Sequence, residues 1–437
     1  MSSKVFLKDV CTRICSGGTP KRSVEEYYKN GRIPWLNTSE IKFNRIRKTT
    51  NFITDAGLEN SSAKWIESNS VVVAMYGATA GKVAISKIPL TTNQACCNLE
   101  IDPSIADYRY IYYWLKSRND LLTNLTNGGA QQNLNAQIIK NLEINLPSIG
   151  IQARIANHLS LLDDKIELNN QLNDYLDEYA TALFEEWLSY CTEITTIGDI
   201  AQEILDYTKL DEPLVKLLNS SDVTEGVFPN PNPVENKNLK GHFKKRFKKH
   251  DILYSEIRPR NHHYGYVMFD ADDWVSTTRL MVIRSRPEKI FSGLLYYYLK
   301  SKPVTDEFTL KTETRSGTFP QGKYIDMAAI EVPFSPVVEQ VGIAESIAAT
   351  LGAIYANQIE NLRLAELRDA LLPKLMSGEI DVSQVDVTQL NNHLAKKYLL
   401  IALSKQFVMR ASSLHQGNSI KGSPDQEPIS RIADMTL

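Results

Sequence analysis

Residues 151–190 contain neither proline nor glycine, a run bounded by the Pro147-Ser148-Ile149-Gly150 break and by Gly198. Within it Ile155, Leu159, Leu162, Ile166, Asn169, Asn173, Leu176, Ala180, Leu183 and Trp187 recur at alternating spacings of four and three. That spacing keeps one stripe on one face of a helix. Over this length it predicts a coiled-coil seam, apolar except for two amides near its centre. The stripe returns 188 positions later: Ile155 corresponds to Ile343, Leu159 to Ile347, Ile166 to Ile354, Asn169 to Asn357, Leu176 to Leu364, Leu183 to Leu371 and Trp187 to Leu375. Two long helices at one offset predict a duplicated architecture, with residues 337–380 as the second helix.

The segments between the helices repeat as well. Residues 1–150 open with Val5–Val10, pass through Ser16-Gly17-Gly18-Thr19-Pro20 and Ile33-Pro34-Trp35-Leu36-Asn37, and reach a strand-like run, Val71-Val72-Val73-Ala74. The loop Tyr76–Lys82 then leads to a second strand at Val83-Ala84-Ile85, and a tyrosine-rich helix follows over residues 108–118. Residues 191–336 give the same order: Ile252-Leu253-Tyr254-Ser255, a loop, Gly265-Tyr266-Val267, then the helix Leu295-Tyr296-Tyr297-Tyr298-Leu299. Gly and Pro punctuate short strands in both, so each half is expected to be a compact α/β domain. The elements agree while the loops between them differ, the mark of a scaffold copied and then diverged where it makes contacts. Residues 381–437 repeat nothing, and their polar end is expected to be partly disordered.

Forty helical residues span about 60 Å. The simplest pairing that buries both seams is antiparallel, with the central asparagines meeting to fix the register. The expected fold is therefore α+β: two similar α/β domains joined by a long antiparallel two-helix coiled coil with pseudo-two-fold symmetry. Duplex DNA has a two-fold symmetry of its own and a turn of about 34 Å, so such a frame suits two unlike half-sites separated by unread base pairs.

Charge is informative only locally. The formal net charge is −2, but residues 1–150 carry 18 basic against 12 acidic side chains and residues 151–190 carry 2 against 8. Residues 191–336 balance 20 against 20, yet 240–263 hold 8 basic and 2 acidic. An acidic rod would stay clear of phosphates while basic patches on the domains approach them. Cys11, Cys15, Cys96, Cys97 and Cys191 form no paired CxxC set, which reads as reduced thiols in a cytoplasmic protein. No uninterrupted apolar run reaches membrane-spanning length, and residues 1–4 offer no signal-peptide core, so no membrane partner is expected.

Several motifs in fixed order resemble one family. They are Gly17-Gly18-Thr19-Pro20 with Tyr27, Gly31-Arg32-Ile33-Pro34-Trp35, the Gly77–Lys82 loop ahead of Asn93-Gln94, Tyr112-Tyr113-Trp114-Leu115, and Pro147 with Gln152-Ala153-Arg154-Ile155-Ala156. In the second half they are Ser316-Gly317, Pro336 with Glu339-Gln340-Val341-Gly342-Ile343-Ala344, and Arg368-Asp369-Ala370-Leu371-Leu372-Pro373-Lys374-Leu375. In this order the chain resembles the specificity subunits of type I restriction–modification systems. The resemblance implies two target-recognition domains, each reading half of a bipartite site on double-stranded DNA. It also implies helices that dock two methyltransferase subunits, recruitment of motor–endonuclease subunits, and no catalytic residues or cofactor in the chain itself. The second half lacks a Gly-Gly-Thr-Pro motif, so that loop cannot be carried over.

Candidate DNA contacts in the first half are Thr19, Lys21, Trp35, Asn37, Gly77, Thr79, Lys82 and Asn93. The Gly77–Lys82 loop lacks P-loop spacing and a Ser or Thr after the lysine; it reads either as a DNA-facing loop with Lys82 on a phosphate or as a bare turn. Gln131, Gln132 and Asn133 carry amides suited to adenine edges, though a solvated loop has the same composition. In the second half Lys244, Lys245, Arg246, Lys248 and Lys249 are too basic for a core strand and suit phosphates. Arg258, Arg260, Asn261 and His262 occupy the position of the Gly77 loop, and Arg279 and Gln321 occupy other loops of the repeat. His262-His263 has no third ligand at metal-site spacing. No Asn/Asp-Pro-Pro-aromatic motif, nucleophile elbow or carboxylate cluster points to an enzyme. The alternative is a non-enzymatic coiled-coil adaptor whose end domains bind proteins.

Overall fold

The computed structural model describes residues 3–127, 134–237, 239–313 and 321–382. They fall into two compact units: residues up to Lys165 together with those from Leu364 onward form unit one, and Ile166–Arg363 forms unit two. The expected divisions near residues 150, 190, 336 and 380 follow chain order, whereas the units share out both long helices. The reason is packing, since the apolar face at each helix end belongs to a domain core.

Unit one contains β1 (Ser3–Phe6), β2 (Cys11–Ser16), β3 (Ile33–Leu36), β4 (Arg45–Ile46), β5 (Asn51–Ile53), β6 (Trp65–Ile66), β7 (Val71–Ala74), β8 (Val83–Ser86), β9 (Leu90–Thr92), β10 (Cys96–Ile101) and β11 (Glu143–Leu146). Its helices are α1 (Asp55–Glu59), α2 (Tyr108–Lys116), α3 (Asn119–Asn127), α4 (Ala136–Lys140) and the first part of α5 (Ile149–Tyr190). One sheet has the order β2-β10-β7-β8-β4, a second β5-β3-β9-β6, and β1 pairs with β11. All four residues of β7 are buried, as a β-branched run covered on both faces requires. On one face Val71 and Val73 share a core with Tyr110, Tyr112, Tyr113 and Trp114 of α2, Ile155, Ala156 and Leu159 of α5, and Leu372 and Leu375. Each such side chain contributes roughly 1.5–3 kcal/mol by leaving water.

Unit two repeats the plan with β12 (Glu193–Thr196), β13 (Ala201–Glu203), β14 (Leu214–Leu218), β15 (Val234–Glu235), β16 (Phe243–Lys245), β17 (Ile252–Ser255), β18 (Tyr264–Tyr266), β19 (Trp274–Thr277), β20 (Leu280–Ser285) and β21 (Glu331–Phe334). Helices α6 (Ile197–Ile200), α7 (Ser292–Lys300), α8 (Lys302–Glu313) and α9 (Tyr324–Ala328) precede α10 (Val341–Ser377). The sheet orders are β13-β20-β17-β18, β15-β14-β19-β16 and β12-β21. In each unit the second sheet is built on one parallel pair, β3 with β9 and β14 with β19. The duplication read from the helices therefore extends to strand order and strand direction.

The helices bury more than the single stripe expected. Ile155, Leu159, Leu162, Asn169, Leu176, Ala180 and Trp187 are buried, but so are Ala156, Leu168, Leu172 and Phe184. A helix that faces both a second helix and a domain buries two adjoining stripes. Phe184 shows this, with its ring edge-on to Tyr298 at 4.9 Å between centroids. Within unit two, Asn169 Nδ2 donates to Glu360 Oε2 and to Asn361 Oδ1, both at 2.8 Å, and Asn357 Nδ2 donates to Asn173 Oδ1 at 2.8 Å. Partners rise along one helix as they fall along the other, so α5 and α10 run antiparallel there. Within unit one, Arg368 Nη1 donates to Asp163 Oδ1 at 2.6 Å.

One helix adds to the composition reading. Among the described residues Val337–Ser377 is long and apolar enough to cross a membrane, although no uninterrupted apolar run stands out in the sequence. Glu345 and Glu360 break the run while its alanines, isoleucines and leucines raise the average. Only 28% of its most apolar stretch is buried, with Ala344, Ile347 and Leu351 lying in the core of unit two.

Candidate nucleic-acid interface

In unit one the parallel strands β3 and β9 end together, with Leu36 opposite Thr92, and both chains leave into turns at the same edge. Asn93 N–H donates to Leu36 O at 3.0 Å, and Asn93 Nδ2 donates to Asn37 Oδ1 at 3.2 Å. The β7–β8 hairpin is tied to this edge: Met75 N–H donates to Ala95 O at 2.8 Å and Thr79 Oγ1 to Thr38 O at 2.6 Å. Gly77 and Gly81 supply its left-handed positions, with φ of +83° and +85°. The Gly17-Gly18 loop lies against the same edge, where Gly18 N–H donates to Thr92 O at 2.9 Å. A Cβ on Gly17 would fall 2.2 Å from Thr92 O and one on Gly18 2.1 Å from Ala63 N, so close backbone approach requires both glycines. Four loops from separate parts of the chain thus form one surface.

The expected contacts divide on this surface. Lys21 and Gly77 are exposed, and Thr19 and Lys82 half-buried. Asn37 and Asn93 are half-buried and spend their amides on each other and on the turns; Asn93 Oδ1 accepts from Ala95 N–H at 3.0 Å. Two expectations are corrected. Trp35 is only 3% exposed, its Nε1 donating to Gly18 O at 2.9 Å, because an indole beneath a glycine loop holds that loop rather than facing outward. Thr79 is buried at 8% exposure, with its hydroxyl bound to Thr38 O. Tyr76, 45% exposed, and the exposed Gln94 stand on the same edge; both belong to stretches quoted from the sequence, the Tyr76–Lys82 loop and Asn93-Gln94, but neither is among the expected contacts. Gln131, Gln132 and Asn133 lie outside the described residues.

Unit two builds the same edge with other side chains. The hairpin over residues 256–263 joins β17 to β18, and Glu256 N–H donates to Arg279 O at 3.0 Å, as Met75 does to Ala95. Arg258 and His262 have φ of +49° and +54°, at the two hairpin positions where unit one has glycine. Arg258, Arg260, Asn261, His262 and Arg279 are exposed and Gln321 is half-buried. Glu256 Oε2 accepts from Gln321 Nε2 at 3.1 Å and meets Arg279 Nη1 at 3.5 Å. Arg260 pairs with Glu313 at 3.0 Å and His262 Nδ1 with Glu225 at 3.1 Å. His263 Nδ1 faces Val223 O at 2.9 Å, and no group of three His, Cys, Asp or Glu that could hold a metal ion occurs among the described residues. Behind the hairpin, burial pushes the Tyr264 phenol up to about 12, with Glu225 adding to the shift.

The basic run does not form one phosphate patch. Lys245 is 1% exposed and donates to Leu280 O at 2.9 Å and Glu203 Oε1 at 3.2 Å, so it ties β16 into the core. A lysine is buried at a strand position when both a carbonyl and a carboxylate await it. Lys244 is exposed, its ammonium over the Tyr207 ring, and half-buried Arg246 donates to Asp272 O at 3.5 Å. Lys248 and Lys249 are exposed at the start of β17, the opposite end from the Arg258 hairpin. Four strand residues at about 3.3 Å each separate them from that edge.

The family model described as type I restriction modification DNA specificity domain matches the chain twice, over residues 2–178 and 195–368. The chain is 24% identical over 421 residues to the type I restriction enzyme MjaIX specificity subunit of Methanocaldococcus jannaschii, covering 87% of this chain and 93% of that protein. It is 32% identical over 189 residues to the HindI specificity subunit of Haemophilus influenzae, 43% of this chain and 40% of that one. The crystal structure of the type I restriction–modification S subunit from M. genitalium has the same fold, with a TM-score of 0.52 at 20% identity over 86% of this chain and 96% of that chain. The chain belongs to the type I restriction–modification DNA specificity family.

Proposed function

We propose that, within this family, the chain selects the DNA sequence and leaves methyl transfer and cleavage to partners. Each unit reads one half of a bipartite, asymmetric site through its loop edge, and the two half-sites differ because the two edges carry different side chains. The observation that carries this reading is one topology built twice under two family-model matches, with different residues on equivalent loops. Helices α5 and α10 act as an antiparallel coiled coil whose outward faces dock two methyltransferase subunits, with motor–endonuclease subunits joining the assembled complex. The chain itself supplies no catalytic group and takes no cofactor. Five free thiols fit a reducing cytoplasm.

The test is co-expression with the methyltransferase subunit followed by genome-wide mapping of methylated bases. A two-part asymmetric motif is expected. Exchange of residues 191–336 for those of a relative should change one half of it only. A protein-binding adaptor would leave no methylation motif, and its association with duplex would lack the steep fall with salt that phosphate contacts impose.

A further inference from the structure

The duplication supplies an internal control for which side chains the edge needs in order to fold. At the junction of hairpin and turn, unit one places Met75 and Ala95, linked by a backbone hydrogen bond of 2.8 Å. Met75 is 3% exposed and belongs to the apolar core. Unit two makes the same backbone bond between Glu256 and Arg279 at 3.0 Å, and so sets a carboxylate and a guanidinium where an apolar pair suffices. The Glu256 side chain is 17% exposed and the Arg279 side chain 51%. Glu256 is held from its other side by Gln321 Nε2 at 3.1 Å and, through its carbonyl, by Gly322 N–H at 2.8 Å. The carboxylate held in this way lies 3.5 Å from one nitrogen of the guanidinium, an ion pair and not a hydrogen bond. Among the described residues Arg279 meets no other carboxylate within ion-pair distance, and half of its side chain stays open to solvent.

Stability does not explain the pair. A half-exposed ion pair contributes little, and an apolar pair serves the same backbone in the other unit. The adjoining hairpin points the same way, since Arg258 and His262 adopt left-handed backbone that glycine takes in unit one at lower conformational cost.

We propose that Arg279 is a base-reading residue of unit two, that it donates to the O6 and N7 edge of a guanine in the major groove, and that Glu256 is the residue that positions it. The inference rests on the reading of the chain as a DNA specificity subunit. An arginine fork is the commonest reader of guanine, and a carboxylate beside one of its nitrogens biases the side chain toward the rotamers that keep the pair, which lessens the freedom lost on binding.

The experiment selects bound duplexes from a randomised library, using the full chain assembled with its methyltransferase subunit. Parent, Arg279→Ala, Arg279→Lys and Glu256→Gln complexes are compared. The parent should select a motif with guanine at one position of the half-site that changes when residues 191–336 are exchanged. Arg279→Ala and Arg279→Lys should reduce that preference about tenfold or more at that position alone. Glu256→Gln should relax the same position in part, with the other half-site unchanged and an unaltered melting temperature, a pattern that a structural role for Glu256 cannot produce. A uniform loss of affinity across sequences would make Arg279 a phosphate contact and overturn the proposal, as would an unchanged motif or a lost preference for a base other than guanine. A parent complex that selects no two-part sequence would instead overturn the reading on which the proposal rests.

Discussion

Asp163 on α5 is a side chain whose removal should cost unit one several kcal/mol, about 3–5. Its Oδ1 accepts from Arg368 Nη1 at 2.6 Å and its Oδ2 accepts from the Tyr113 hydroxyl of α2, so one carboxylate joins α10 and α2 to α5. The Asp163 and Arg368 side chains are 15% and 14% exposed, and Tyr113 is 1% exposed. Asp163→Ala removes a charge-assisted hydrogen bond, about 1.5–3 kcal/mol, and strands a buried hydroxyl at about 1–3 kcal/mol. Arg368 keeps a second partner, Asp369 Oδ1 at 2.9 Å, so the larger penalty for an orphaned buried charge does not apply in full. The expected loss is about 3–5 kcal/mol. Tyr113→Phe alone should cost about 1 kcal/mol, and in that background Asp163→Ala should cost about 1–2 kcal/mol less, because no hydroxyl is left stranded. Urea unfolding of the four chains of this cycle, with hydrogen exchange read on α2, measures both quantities. A loss below about 1 kcal/mol for Asp163→Ala, or strictly additive single variants, would refute the reasoning.

Three further outcomes follow from the geometry. Gly17→Ala should destabilise unit one by at least about 2 kcal/mol, because the new Cβ meets backbone 2.2 Å away, and a melting temperature equal to the parent's would show that the loop can move aside. Lys245→Ala should cost about 2–4 kcal/mol of stability by leaving Glu203 and Leu280 O without their donor, whereas Lys249→Ala should be neutral in a melt; equal effects would contradict the burial of Lys245. Burial pushes the Tyr110 phenol up to about 12, with Arg118 opposing. Its folded value lies above the unfolded one, so the stabilisation is complete below pH ~10 and is lost between about 10 and 12, amounting to roughly 2–3 kcal/mol. Urea unfolding against pH should therefore be flatter over that range for Tyr110→Phe; parallel slopes would assign the alkaline loss to other groups.

Periodicity in one chain was enough to reveal the duplicated plan, because a helix stripe and a strand–loop–strand order are local patterns that survive when loops diverge. Asn169 and Asn173 were legible as polar breaks in an apolar seam, and the structure gives both of them partners on α10. Local pattern could not tell which loop residues face outward. Trp35, Thr79 and Lys245 have the composition of contacts, but each meets a carbonyl contributed by a distant part of the chain, and only tertiary packing brings those carbonyls near. The same holds for Glu256, unremarkable in sequence, which gains its place from Arg279 and Gln321, 23 and 65 positions away. Sequence by itself determined the repeat, the helix pairing stripe and the loops that differ, since these depend on neighbours a few residues apart. Only the tertiary structure decided which side chains those loops keep for themselves and which they present, since burial depends on partners from other segments.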